Sequence, residues 1–423
     1  MDIELNDDVN SLKPKIIFFA PILEYPPAGG PQMSVINAIK ALSQISELHI
    51  ITNVPVWRLG ENAIEFIEEH SHALEFAPTS ILNSKIDILD RIMRRLKREF
   101  LRPIVAISDV RFVIKYAAKH DINIFWIDRV LEHAFSVFKL LRRKKPHALI
   151  IGDTEAVHSR FVLREIPMIK NPFRKALVSF KGNKIVNEEK ELVTTANVVT
   201  AVSELDADYY RSLAPNPETI KLFSNIVDVD DYTGEFTNLE NLKKPYVLLL
   251  GSFGHINSPM DRAAKWVVED IMPLVLKQVP NAHVYIIGRN SDKTLAHYNS
   301  DAVRVLGRVP SMLPYLKEST ASLVPLHYES GTRFKILESG AASIPCISTT
   351  LGAEGIQVTN EDNILIADTT EDFANAMVKV FQDSAYAGKM GRNLHKLIQE
   401  QYSLKTQKRD GESIISYLER GQV

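Results

Sequence analysis

Short apolar runs alternate along most of the chain with stretches whose apolar positions recur every three or four residues. Runs at Ile16–Ala20, Leu48–Thr52, Ile104–Ile107, Ile122–Ile127, Ala148–Ile151 and Val198–Val202 read as buried strands. A second series follows at Tyr246–Leu250, His283–Ile287, Val303–Leu306, Ala321–Pro325, Cys346–Ser348 and Ile364–Ile366. Helical spacing lies between them, as in Gln32–Ser43, Asp261–Gln278 and Gly331–Ala342. Continuous apolar strands separated by helices predict parallel sheets covered on both faces. A polar, breaker-rich stretch from Asp230 to Pro245 divides the two series. The expected architecture is α/β, with two doubly wound parallel-sheet domains facing a central cleft. Its parts are a tail at 1–13, a first domain at 14–230, a linker at 231–245, a second domain at 246–400 and a terminal helix at 401–423. A return of that helix to the first domain is left open.

Composition narrows this reading. The chain has 423 residues, 45% hydrophobic and 24% charged, which suits a globular protein of two or three domains. The longest early apolar run, Ile16–Leu23, contains Pro21 and is far shorter than the roughly 20 residues of a membrane span. No small-residue cleavage site follows it, so a secretory leader is not expected. Cys346 is the single cysteine, which excludes an internal disulfide and a cysteine-cluster metal site. A cytoplasmic location, peripheral at the inner face of a membrane, is the expectation.

Net charge is −2, yet residues 91–190 hold 23 basic and 10 acidic side chains, a balance of +13. A chain that coats nucleic acid is not expected from the total. The local excess points instead to an anionic surface, through the basic stretches 91–102 and 142–145.

Two segments carry candidate chemistry. After the first strand, Gly29 and Gly30 precede a helical pattern, where backbone can approach a ligand and a helix N-terminus favours negative charge. The Gly-x-Gly-x-x-Gly and Gly-x4-Gly-Lys-Ser/Thr fingerprints do not occur. The stronger segment runs from His327 to Ala342 and follows the Ala321–Pro325 strand. Gly331 and Thr332 are expected to open a helix whose free N–H groups face a phosphate. Arg333 and Lys335 near that end oppose the helix dipole unless an anion is present, which points to a diphosphate. Glu338, about two turns further on, is placed to accept sugar hydroxyls.

The stretch Glu329-Ser330-Gly331-Thr332-Arg333-Phe334-Lys335-Ile336-Leu337-Glu338 resembles the nucleotide-sugar site of group 1 glycosyltransferases (glycosyltransferase family 4), which have the GT-B fold of two Rossmann-like domains. Their signature is Glu-x7-Glu. Glu338 matches the second Glu, which in the family binds ribose hydroxyls. The first acidic position falls on Ser330, beside Glu329, so either side chain is a candidate to meet the donor sugar. Tyr25–Gly30 resembles the family's first glycine-rich loop. Gly251–Asn257, with Ser252, resembles the loop after the first donor-domain strand. Val305–Pro310, with Arg308 and Val309, resembles the loop that contacts the nucleobase. Leu351–Gly355 and Thr200–Glu204 resemble two further family segments, and the likeness spans roughly residues 14–385.

The resemblance implies a retaining, metal-independent glycosyltransferase of the hexosyltransferase type. Its nucleoside-diphosphate sugar would be a co-substrate, with no cofactor. The hydroxyl acceptor would be a glycan, a lipid-linked precursor or another polysaccharide precursor. Relatives carry a His after the strand matching Ala148–Ile151. Here Asp153 stands there, a carboxylate able to take a proton in suitable geometry, with His158 nearby. Asp128 and Arg129 end another strand and are further candidates for the acceptor side. The Asp-x-Asp pairs Asp206/Asp208 and Asp228/Asp230 have metal-site spacing, which is short enough to recur by chance, and no metal is expected at them. Two other readings stay open: a nucleotide-sugar epimerase of the same fold, or a catalytically silent sugar- or membrane-binding partner.

Overall fold

The structure, a computed structural model, describes residues 13–78, 102–234, 239, 242–253, 258–329 and 331–421. Most of the tail, residues 91–101 of the basic stretch, His255–Asn257 and Ser330 lie outside the described residues.

Seven strands form the first sheet: β1 (Lys15–Ala20), β2 (Glu47–Thr52), β3 (Ala73–Phe76), β4 (Ile124–Ile127), β5 (Leu149–Gly152), β6 (Val198–Ala201) and β7 (Ile220–Leu222). Six form the second: β8 (Tyr246–Leu250), β9 (His283–Ile287), β10 (Val303–Gly307), β11 (Ala321–Val324), β12 (Cys346–Ser348) and β13 (Leu365–Ile366). The sheet orders are β3-β2-β1-β4-β5-β6-β7 and β10-β9-β8-β11-β12-β13. The pairings are parallel throughout. Each order therefore reverses once, between β1 and β4 and between β8 and β11. Ligands of such sheets bind beyond the carboxyl ends of the strands at these switch points.

The central strands are buried on both faces, as their unbroken apolar runs require. Seven helices matter below: α1 (Gly30–Ile45), α2 (Arg102–His120), α3 (His158–Arg164), α4 (Pro172–Thr195), α5 (Phe334–Ala341), α6 (Ser384–Gln401) and α7 (Leu404–Arg420). On α7, Ile414, Ile415 and Leu418 enter the first sheet's core beside Ile39 and Leu42 of α1. Gly411 permits that approach, since a Cβ there would lie 2.8 Å from Ile45.

Three expectations change. Ile104–Ile107 is the start of α2, not a strand. The buried positions Ala106, Val110, Val113 and Ala117 repeat at helical spacing beyond the apolar run and decide its form. The edge strands β3 and β7, both short, are additional. The third concerns the start of α5. It begins at Phe334, not Gly331, because Gly331 has φ +81 and Arg333 is extended at φ −88, ψ 94.

Candidate active site

The second domain builds its wall from the loops after β8, β9, β10, β11 and β12. Backbone bonds lock the first three together: Gly251 N–H to Ile287 O, Phe253 N–H to Arg289 O, and Gly288 N–H to Gly307 O. Gly288 is required here, since a Cβ would lie 1.7 Å from the Gly251 carbonyl. Ser252 and Arg308 are exposed at this rim and Val309 is half-buried.

After β11 the chain turns through Gly331–Arg333 into α5. Arg333 is buried, at 4% exposure. Its guanidinium donates to the carbonyls of Gly331 and Leu351, and its Nε has no partner. The Thr332 hydroxyl is also buried without a partner. The ammonium of Lys335, the half-buried second residue of α5, makes no hydrogen bond or ion pair among the described residues, and burial lowers its pKa. Burial likewise lowers that of Arg333. Both cations lie at the N-terminus of α5, whose first N–H groups lack helical acceptors. An anion is the ligand chemistry that such groups accept. Glu338 accepts from the Tyr232 hydroxyl at 3.2 Å, and burial raises its pKa.

The first domain's wall has the opposite character. Asp128 and Asp153 follow the paired residues Ile127 and Gly152 at neighbouring strand ends. Asp153 is buried and both its oxygens are held, one by Trp126 Nε1 at 2.7 Å and one by the Thr200 hydroxyl at 2.5 Å. Burial pushes its pKa up to about 6. Burial, reinforced by the Asp153 charge, holds Asp128 well above the ordinary carboxylate range. Arg129, at φ +48, is buried between Glu132 and Glu155 and pairs with both. His158 opens α3 with Nδ1 3.6 Å from Glu132, and burial lowers its pKa. Apart from Asp128, whose Oδ2 is buried without a partner, these groups find their partners within the same wall.

The two walls touch. A Cβ at Gly30 would lie 2.8 Å from the Phe334 ring, and one at Gly331 would lie 3.0 Å from Ala156. The first glycine-rich loop and the turn before α5 thus meet over the cleft, beside Arg333 and Lys335. Gly29, next to Gly30, is extended. Across the rim, Arg164 of α3 binds Glu354 in a bidentate pair at 2.6 and 2.7 Å and donates to the Glu329 carbonyl at 2.7 Å.

Several of these residues escaped sequence reasoning. Glu354 lies in a segment singled out there, but Arg164 stands 190 positions away and carries no local signal. Tyr232 and Trp126 likewise act through contacts 106 and 27 positions away, and Thr200, inside a segment already named, reaches Asp153 across 47. Of the Asp-x-Asp pairs, Asp206 binds Arg160 at 3.2 Å and Asp228 binds Lys40 at 2.7 Å. Among the described residues, the one grouping of three metal-ligand types is Glu47, His49 and His72. It sits at the amino end of β2, opposite the cleft.

The fold is GT-B, and residues 244–383 match the profile of the family described as "Glycosyl transferases group 1". The second domain is thus similar to that family's domain over 244–383. No curated protein matches the chain in sequence. Solved structures resemble it along nearly the whole length. Sucrose-phosphate synthase from Thermosynechococcus elongatus superposes with a TM-score of 0.69 at 16% identity, covering 96% of this chain and 100% of that one. Anabaena HepE, solved with UDP and glucose, gives 0.65 at 12% identity, covering 96% and 99%. WaaG, a glycosyltransferase involved in lipopolysaccharide biosynthesis, gives 0.63 at 10% identity, covering 94% and 99%. Among the described residues, no helix is long and apolar enough to cross a membrane.

Proposed function

We propose that the chain transfers a sugar from a nucleoside-diphosphate sugar to a hydroxyl acceptor, with retention at the anomeric carbon and without a required metal ion. The observation that carries this reading is the placement of Arg333 and Lys335 at the start of α5, where Arg333 Nε and the Thr332 hydroxyl are buried without a partner. Two cations, Arg333 buried and Lys335 half-buried, and a helix N-terminus suffice to neutralise a diphosphate, which is the task a divalent ion would otherwise serve. One neighbour, Anabaena HepE, solved with UDP, with UDP and glucose, and with UDP-glucose, supports a uridine donor.

In this reading the diphosphate lies against Gly29, Gly30 and the turn Gly331–Arg333. Ser252, Arg308 and Val309 border the base, and Glu338 takes the ribose hydroxyls. Glu329 or Ser330 meets the sugar. As the bond from the anomeric carbon to phosphate oxygen breaks, its electron pair stays with the diphosphate. Arg333, Lys335 and the N–H groups stabilise that growing charge more than they stabilise the intact donor. The acceptor oxygen attacks the same face of the sugar, and its proton passes to a departing phosphate oxygen. Asp153, with both oxygens engaged, serves as a positioning residue that ties β5 to Trp126 and Thr200. Arg129, Asp128 and His158 shape the acceptor side, where a glycan or lipid-linked hydroxyl would sit.

The test is release of nucleoside diphosphate from a panel of sugar nucleotides, with and without acceptors. Acceptor-dependent release that Glu338→Ala abolishes supports the reading. Conversion to another sugar nucleotide without acceptor would assign an epimerase instead. Tight donor binding with no turnover across acceptors would assign a silent binding partner.

A further inference from the structure

The longest helix among the described residues of the first domain, α4, is apolar on two opposite faces. One is packed: Gly182, Ile185 and Val193 are buried, and a Cβ at Gly182 would lie 2.3 Å from Leu163 of α3. The other carries Phe173, Leu177 and Phe180 at i, i+4 and i+7, which share one helix face. They are 86%, 68% and 72% exposed, the three barest large apolar side chains among the described residues. Isolated exposed apolar residues need no explanation, but three in register on one face do.

The charge around this stripe identifies what covers it. Residues 170–184 hold Lys170, Arg174, Lys175, Lys181 and Lys184 and no acidic residue. All five are exposed. Arg174 pairs with Glu165 at 2.5 Å and Lys184 lies 3.9 Å from Glu188, while Lys170, Lys175 and Lys181 have no ion pair among the described residues. The acidic residues of α4 stand in its second half, at Glu188, Glu189 and Glu191, past the stripe. An apolar stripe bordered by free lysines matches a bilayer surface, where rings enter the acyl boundary and ammonium groups meet anionic headgroups. A protein partner of ordinary charge balance would leave those lysines unanswered.

We infer that the first half of α4, through Phe173, Leu177 and Phe180 with Lys175 and Lys181, docks this chain on an anionic lipid bilayer. This goes beyond the transfer reaction and does not depend on it. It also departs from the charge runs that the sequence brings forward. Arg142 of the 142–145 run is turned inward, bonded to the carbonyls of Pro146 and Ala148 and to Asn197. The docking face has a defined relation to the cleft. The helix α4 packs on α3, and Arg164 at the end of α3 is the residue that reaches Glu329 and Glu354. A bilayer under α4 therefore lies beside the acceptor side of the cleft, within reach of a lipid-anchored hydroxyl.

Flotation of the full chain with vesicles tests this directly. Vesicles of pure phosphatidylcholine are compared with vesicles containing about one-third phosphatidylglycerol. The chain should float with the anionic vesicles and be released by high salt, because the basic contribution is screened. The double variant Phe173→Ser/Phe180→Ser should bind at least about tenfold more weakly, with an unchanged thermal unfolding midpoint, since both rings are solvent-exposed. A Phe180→Trp variant should show a blue-shifted emission on anionic vesicles only. No flotation of the wild-type chain, or equal flotation of wild type and the serine variant, would overturn the inference. So would a concentration-dependent dimer that the serine variant abolishes while vesicles have no effect, because a second copy would then cover the face.

Discussion

The two walls of the cleft handle charge in opposite ways. In the first domain most ionisable groups near the strand ends have a side-chain neighbour that answers them: Trp126 and Thr200 hold Asp153, Glu132 and Glu155 hold Arg129, and Glu132 faces His158, while one oxygen of Asp128 is buried without a partner. In the second domain the Arg333 guanidinium bonds only backbone carbonyls, its Nε and the Thr332 hydroxyl are buried without a partner, and the charges of Glu329, Glu338 and Glu354 act on Arg333 and Lys335 without a side-chain hydrogen bond to either among the described residues. Leaving a buried charge without a partner costs several kcal/mol, roughly, so a fold keeps one only where something else repays it. The contrast separates a wall built to hold a ligand's charge from a wall built to hold its own shape.

Variants can break that contrast, and the second wall should yield the largest effects. Lys335→Met and Arg333→Met should each lower turnover by about 10²–10³-fold, the range for removing a donor that meets charge developing in the transition state. Steady-state rates of nucleoside diphosphate release measure this. Glu338→Ala should weaken donor binding by about 10–100-fold through loss of charged hydrogen bonds, read by calorimetric titration. Gly30→Ala comes next. Its methyl would meet the Phe334 ring at 2.8 Å, so the walls must part and the KM for donor should rise by roughly tenfold. Retention of wild-type KM would show that the contact is incidental.

The effect expected in the first wall falls on stability rather than on turnover and is a matter of pH. The Asp153 carboxyl is raised from 3.8 to about 6 by burial, so the native state binds its proton more readily than the unfolded chain between those values. Stability from this group is therefore present below about pH 4 and is lost as pH rises through about 6. Asp153→Asn lacks that dependence. Relative to wild type it should gain roughly 1–3 kcal/mol on going from pH 4 to pH 7, read by urea unfolding, with the change confined to this window. A constant difference across the window would show that the carboxyl is not held in this way.

Local pattern carried most of the architecture, because buried parallel strands announce themselves as short apolar runs and eleven of the thirteen strands do so here. The failures are physical. Ile104–Ile107 has the composition of a strand, but the apolar spacing continues through Val110, Val113 and Ala117, and a period set over nineteen residues outweighs one set over four. Ala73–Phe76 and Ile220–Leu222 sit at sheet edges, where one side is open and the apolar signal thins. In the site, Arg333, Lys335 and Glu338 were legible because one helix carries them. The turn at Gly331 was not, since its positive φ follows from packing against Ala156 across the cleft. Arg164 with Glu354, and Trp126 with Asp153, are pairings between distant segments that no local spacing encodes.

The most direct measurement is the thermal shift produced by UDP on three proteins: wild type, Lys335→Met and Glu155→Gln. Ligand that binds only the folded state raises the midpoint by mass action. UDP should stabilise wild type and Glu155→Gln alike and leave Lys335→Met nearly unmoved. Full stabilisation of Lys335→Met, with loss in Glu155→Gln, would contradict the assignment of the ligand's charge to the second wall.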